Sequence, residues 1–216
     1  CSMNSIPSGY NWVFEVLATS PQTLTPASGG VIFNVVSQDG TRGARLGNNV
    51  SLSGSAPVTK DGTSKLELSA NNNAYSGVVN VRQANLALTS SASLNGVKEV
   101  NCVGRVTLAT VTAYGGNEFA KGDFTVNAAS VNDNKLADDL VVAINRGGFN
   151  YLPTSTSTET MGRVVLDTWG TFGSSSSGGT GGALVLADPT AGITRGPYGI
   201  GTLCMIVPSD GVPRTR

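Results

Sequence analysis

The chain has 216 residues, 14 of them basic and 14 acidic, and it contains no histidine. Without imidazole, the common general base, the usual partner of a serine or cysteine nucleophile and the commonest metal ligand are all missing, so most acid–base, triad and zinc mechanisms lose a part. The charges cancel, so no overall field steers the chain to nucleic acid or an anionic surface, and nucleic acid is not expected as a main partner. No run of about 18 apolar residues appears, so no transmembrane segment is expected.

The hydrophobic fraction of 39% suffices for a packed core. The domain reading is a single β-rich domain over residues 1–207 followed by an extended tail, 208–216. Cys1 heads the chain and admits three readings. Cys1-Ser2 matches a bacterial lipoprotein after signal removal, with lipid carried on the cysteine. A trimmed start ahead of Met3 would look the same. An N-terminal cysteine nucleophile that uses its own amine as base needs no histidine and is the third.

Trp12, Phe14 and Val16 alternate with Val13, Glu15 and Leu17. Both faces of this first strand are largely apolar, so it reads as an internal strand, and Trp12 is a candidate interface residue. Residues 31–36 form an apolar run between Gly29-Gly30 and Asp39-Gly40, as a strand between turns should. Lys65, Glu67 and Ser69 face away from Leu66 and Leu68, giving a strand with one wet side.

Residues 78–89 and 97–114 are the longest β candidates, and Asn95-Gly96 between them signals a long hairpin. In its second arm Val100 and Cys102 share one face, while Glu99, Asn101 and Arg105 share the other. Arg82 on the first arm joins Arg105 on the wet side. Cys102 and Cys204 both lie in apolar strands; they suit either one disulfide or two buried free thiols.

Residues 133–146 are expected to form the one substantial helix: Asn132 caps it, Leu136, Leu140, Ala143 and Ile144 make an apolar stripe, and Arg146 with Gly147-Gly148 closes it. Residues 163–167 read as a strand, 170–182 as a Gly/Ser-rich loop, 183–187 and 199–207 as further strands. The tail, with Arg214 and Arg216 as candidate interface residues, is too short and polar to pack on itself. The texture of residues 31–114 also suits a parallel β-helix, but no repeat with a period of roughly 20–50 residues accompanies it. The expected fold class is therefore mainly β, with antiparallel sheets in a sandwich or barrel-like arrangement, long hairpins and the single amphipathic helix.

The acidic residues offer no catalyst. On a helix, Asp138 and Asp139 would diverge by about 100° and could not converge on one substrate. Asp167-Thr168-Trp169-Gly170 resembles the Asp-Thr-Gly turn of aspartic proteases, but Trp169 interrupts it and no second copy supplies the partner carboxylate. Asp39, Asp61 and Asp210 each precede glycine, as turn residues do. No dense run of acids suggests calcium. No catalytic, cofactor or metal residues are therefore expected, and the chain is not read as an enzyme.

A neutral Ser/Thr/Asn/Gly-rich β chain with an arm-like tail suits a structural subunit of a repetitive extracellular assembly. The expected partners are copies of itself and other structural proteins of that assembly. A virion capsid or capsid-decorating protein is the leading version, since low charge fits an outer position better than a genome-facing one. A bacterial surface or pilus subunit lipidated at Cys1 is the alternative, and a hydrolase with Cys1 as nucleophile the third.

Overall fold

The computed structural model describes residues 12–36, 43–89, 91–103, 105–106, 119–120, 122–127, 132–152, 157–167, 170–174, 183–188, 190, 192–196 and 203–206. The chain coils rung upon rung into a parallel β-helix. Rung one is β1 (Trp12–Val16), β2 (Gln22–Leu24) and β3 (Val31–Asn34), and rung two is β4 (Gly43–Leu46), β5 (Val50–Leu52) and β6 (Val58–Asp61). Rung three is β7 (Leu66–Leu68) and β8 (Val79–Val81), and rung four β9 (Ala84–Leu88) and β10 (Glu99–Val103). Single bridges at Tyr75, Ser93 and Leu94 mark the third side of these two rungs.

An antiparallel pair, β11 (Arg105–Val106) and β12 (Phe119–Ala120), interrupts the coil. Rung five follows as β13 (Gly122–Asn127), β14 (Asn132–Asp133) and β15 (Val141–Asn145). Rung six is β16 (Gly148–Leu152), β17 (Thr158–Met161) and β18 (Arg163–Leu166). Rung seven is β19 (Gly170–Ser174), β20 (Ala183–Leu186) and β21 (Ile193–Arg195), and β22 (Leu203–Ile206) begins another. The first strand of every rung joins an 8-stranded sheet and the last a 7-stranded sheet, while β14, β17 and β20 form part of the third side.

Parallel stacking aligns equivalent residues into rows about 4.8 Å apart, so each interior row must suit its neighbours above and below. In the larger sheet Leu66, Leu86, Phe124, Phe149 and Phe172 stack inward. The rings of Phe124 and Phe149 lie 5.7 Å apart, and those of Phe149 and Phe172 5.9 Å. Opposite them Val58, Val79, Val100, Val142 and Val164 make a valine row. β-Branched side chains pack well on such a pleated surface and lose least by being held there.

The corners bring backbone against backbone. A Cβ on Gly122 would lie 1.9 Å from the Val81 carbonyl oxygen, and one on Gly147 2.3 Å from that of Gly122, so stacked turns exclude a side chain at both positions. The third side is knitted by Asn72, which is buried. Its Oδ1 accepts the Leu52 N–H of the rung before at 2.7 Å, and its Nδ2 donates to Ala70 O at 2.6 Å and to Ser93 O of the rung after at 3.2 Å.

Several expectations are corrected. The two large sheets are parallel, not antiparallel, and among the described residues β9 and β10 do not pair as the expected long hairpin, nor do the strands form a sandwich or barrel of antiparallel sheets. The Asn95-Gly96 connection crosses the third side, so β9 and β10 land in different sheets, and β10 pairs in parallel with β8 and β15. No helix occurs among the described residues, and 133–146 is not one. Its apolar residues satisfy a period of two from Val141 onward: Val142 and Ile144 are buried, while Val141, Ala143 and Asn145 face outward. The run Val141-Val142 favours strand over helix, and ladders on both sides, to β10 and β18, decide the matter. Gly170–Ser174 is strand, not loop, and 175–182 lies outside the described residues. Among the described strands β1 stands at an edge, paired with β4 alone, where an internal strand was expected.

The strand readings at 65–69, 163–167 and 183–187 agree with β7, β18 and β20. Asn72→Ala should lower the unfolding free energy by about 1–3 kcal/mol, because the buried Leu52 N–H loses its acceptor while the Ala70 and Ser93 carbonyls keep only their backbone donors. Urea unfolding checks this, and a loss under about 0.5 kcal/mol would mean that the side chain does not hold the three rungs.

Candidate functional site

The ionisable groups that usually mark a catalytic centre sit inside the coil, tied to backbone. Lys60 occupies an interior row between Phe33 and Val81 and is fully buried. Its ammonium donates to the carbonyls of Asp61 at 2.6 Å, Gly62 at 3.0 Å and, one rung on, Gln83 at 3.0 Å. Burial pushes its pKa down to about 8, against the opposing pull of the Asp61 charge.

Glu159 likewise points inward from β17. It accepts the backbone N–H groups of Lys135 and Leu136 at 3.0 and 3.1 Å. The Lys135 ammonium donates to Thr89 O at 3.0 Å and Ala92 O at 2.8 Å, again from rung to rung. These three charged side chains are buried, so no substrate reaches them, and their hydrogen bonds serve the stacking. Tyr75 is the same in kind: its hydroxyl lies 3.0 Å from both Ala56 O and Val78 O and shares its one proton between them, and burial raises its pKa to about 12.

On the outer face of the 8-stranded sheet, Glu15, Arg45 and Glu67 form a cross-strand ladder on the first three rungs. The Arg45 guanidinium reaches Glu67 at 2.7 Å and Glu15 at 3.4 Å, and Lys65 joins Glu67 at 3.3 Å. Such exposed pairs are worth little and leave no concentrated charge. Asp138 and Asp139 are exposed in a turn before β15, and Asp139 pairs with Lys98 at 2.5 Å, which holds its carboxyl below the usual range. Among the described residues no group of three or more Cys, Asp or Glu is placed to hold a metal ion. No helix among them is long and apolar enough to cross a membrane.

The residues singled out from sequence are scattered. Cys102 is a free thiol, fully buried in an interior row, and burial with the nearby Asp123 charge raises its pKa. Cys204 lies in β22, in the other sheet and opposite Thr171. Trp12 is placed on β1 opposite Gly43, on the first rung. Cys1, Arg214, Arg216 and the tail 208–216 lie outside the described residues.

What sequence reading missed is the surface of the two ends. Seven large apolar side chains are exposed among the described residues, and all lie on the terminal rungs. Phe14, Leu17, Leu24, Ile32 and Val36 belong to rung one, with Leu17 71% and Ile32 61% exposed; Val185 and Ile193 belong to rung seven. The rungs between expose none among the described residues. Among the described residues Phe14 and Leu24 continue interior rows next to Ala44 and Leu52. The available signal was the pair of nearly uncharged strands, VIFN and ALVL, at the two ends of the strand order. Comparison with family models, curated proteins and solved structures returns no match.

Lys60 makes a pH prediction. Between about pH 8 and 10.5 the folded chain has released a proton from this group that the unfolded chain still binds, so its contribution to stability rises with pH across that window. The unfolding free energy of the wild type minus that of Lys60→Met should therefore climb from pH 8 to 10.5, measured by urea unfolding at each pH. A difference that stays flat would show that the ammonium carries no burial cost.

Proposed function

We infer that the chain is a structural subunit of a repetitive extracellular assembly, serving on a virion as a capsid or capsid-decorating component. One observation carries this reading: the large exposed apolar side chains of the described residues are confined to the two terminal rungs. Exposed apolar surface marks contact sites, and here it sits on the first and seventh of the described rungs. The formal net charge of zero supports it, because identical copies can pack closely with little repulsion. The internal duty of Lys60, Lys135 and Glu159 supports it too, since the buried charges are spent on holding rungs together and none faces a substrate.

Within a virion, the low charge supports an outer or decorating position over a genome-facing one. A subunit on the outside of a particle needs no basic surface, whereas one that contacts the packaged genome does. The purified chain should associate reversibly as its concentration rises. Replacing Ile32 and Val36 with serine should weaken that association at least tenfold, since each buried side chain of this size is worth roughly 1.5–3 kcal/mol. The β circular-dichroism signal should be retained. Sedimentation equilibrium reads the effect; a chain that stays monomeric at every accessible concentration and is missing from purified particles would refute the assignment.

A further inference from the structure

We propose that the Asn95-Gly96 turn is a site of spontaneous covalent modification, at which the folded chain converts Asn95 to aspartate and isoaspartate with release of ammonia. Nothing in this depends on the assembly reading above.

Asn95-Gly96 is the one Asn-Gly step in the sequence. It crosses the third side of rung four as the two central residues of a tight turn, closed by the Val97 N–H on Leu94 O at 3.0 Å. The turn is anchored at both ends: Leu94 bridges to Leu136 and donates to Lys135 O at 2.6 Å, and Val97 is buried. The stacking of rungs sets the glycine. A Cβ at position 96 would lie 2.5 Å from Tyr75 O and 2.6 Å from Asn73 O, the backbone of the rung before. The φ of Gly96 lies outside the left-handed region, so space and not backbone conformation demands glycine here. The fold thus places after Asn95 the residue whose backbone nitrogen is least hindered.

The two groups that react are unengaged. Asn95 is held through its backbone N–H, which donates to Asn73 Oδ1 at 3.1 Å, while its side-chain amide takes no partner among the described residues. The Gly96 N–H donates to no backbone carbonyl among them, and both residues are partly exposed to water. Elsewhere the coil ties its asparagine amides down. Asn72 donates to Ala70 O at 2.6 Å, Asn85 to Thr125 Oγ1 at 3.0 Å and Asn127 to Leu88 O at 2.7 Å, and each precedes a residue whose side chain crowds the next nitrogen.

The chemistry needs water alone. Gly96 N, its proton taken by solvent hydroxide, attacks Asn95 Cγ; the new N–C bond closes a succinimide ring and the side-chain nitrogen leaves as ammonia. Water then opens the ring. Attack at Cγ breaks the new bond and gives aspartate, whereas attack at the Asn95 main-chain carbonyl carbon breaks the original peptide bond and gives isoaspartate, with the main chain routed through Cγ. No atom is oxidised or reduced. Either product adds one negative charge to a chain whose formal net charge is +0, and the isoaspartyl form also lengthens the main chain inside the turn that Leu94 and Val97 close.

The test incubates the full folded chain at mildly alkaline pH beside the same chain held unfolded in guanidinium chloride. Trypsin cleaves after Arg82 and Lys98, so one peptide, 83–98, carries Asn95 together with Asn85 as an internal comparison. Anion exchange of the folded sample should show progressive loss of the starting form into a more acidic one. Mass spectrometry should place the amide-to-acid mass gain on Asn95, with Asn85 intact. Asn95→Gln, whose longer side chain closes a larger and slower-forming ring, should abolish the acidic form and keep the β circular-dichroism signal. An Asn95 that stays intact in the folded chain would overturn the proposal, and its loss from the unfolded chain alone would show that the turn holds the Gly96 nitrogen and Asn95 Cγ apart. An acidic form that maps to other asparagines, or that persists in Asn95→Gln, would overturn it as well.

Discussion

The parallel backbone ladder between successive rungs is the constraint from which the rest of this molecule follows. Each strand is bonded to the one before and the one after, so every side chain stands in a row with its equivalents about 4.8 Å away. A row is apolar throughout or it must satisfy its exceptions locally, because a buried polar group without a partner is costly. The valine row from Val58 to Val164 and the stacked rings of Phe124, Phe149 and Phe172 are the apolar solution. The close contact at Gly122 and Gly147 is the same constraint felt at a corner, where the stacked objects are backbones and only glycine fits.

The charged interior residues are the other solution. Lys60 places its ammonium against carbonyls of two successive rungs, Lys135 reaches two carbonyls of the rung before its own, and Glu159 accepts the N–H groups of Lys135 and Leu136. Asn72 does with an amide what these do with charge, spanning rungs two to four. Polar groups that a globular enzyme would gather at a cleft are here distributed along the axis as ties between turns. The chain's few charges are thereby divided between internal ties and thin surface ladders such as Glu15–Arg45–Glu67.

A coil of this kind has neighbours above and below every rung except the first and last, so its stability is nearly one-dimensional and its ends are where the rows stop unfinished. The same alternation that buries Leu46 and Leu68 places Phe14 in rung one opposite Ala44, where it is half exposed. The sides carry paired charges such as Glu15–Arg45–Glu67, whereas the exposed large apolar side chains of the described residues lie on the first and seventh rungs.

The β content, the wet and dry faces of strands such as Leu66–Leu68 and Glu99–Val103, the scarcity of charge and the lack of imidazole were all legible in the sequence, because they depend on composition and on alternation along a single strand. Strand direction was not, since a period of two is the same in parallel and antiparallel sheets. Nor was the repeat: strands of the larger sheet begin at Gly43, Leu66, Ala84, Gly122, Gly148 and Gly170, unequal steps that arise because the turns outside the ladder vary freely in length. The stripe of Leu136, Leu140 and Ile144 fits a helix locally and was settled as turn and strand by β10 and β18 on either side. Lys60 and Glu159 look like surface charges in sequence, and only the register of neighbouring rungs turns them inward. Which strands are edges, and therefore where the exposed apolar side chains fall, is decided by the order of stacking, a property of the whole coil that no local pattern encodes.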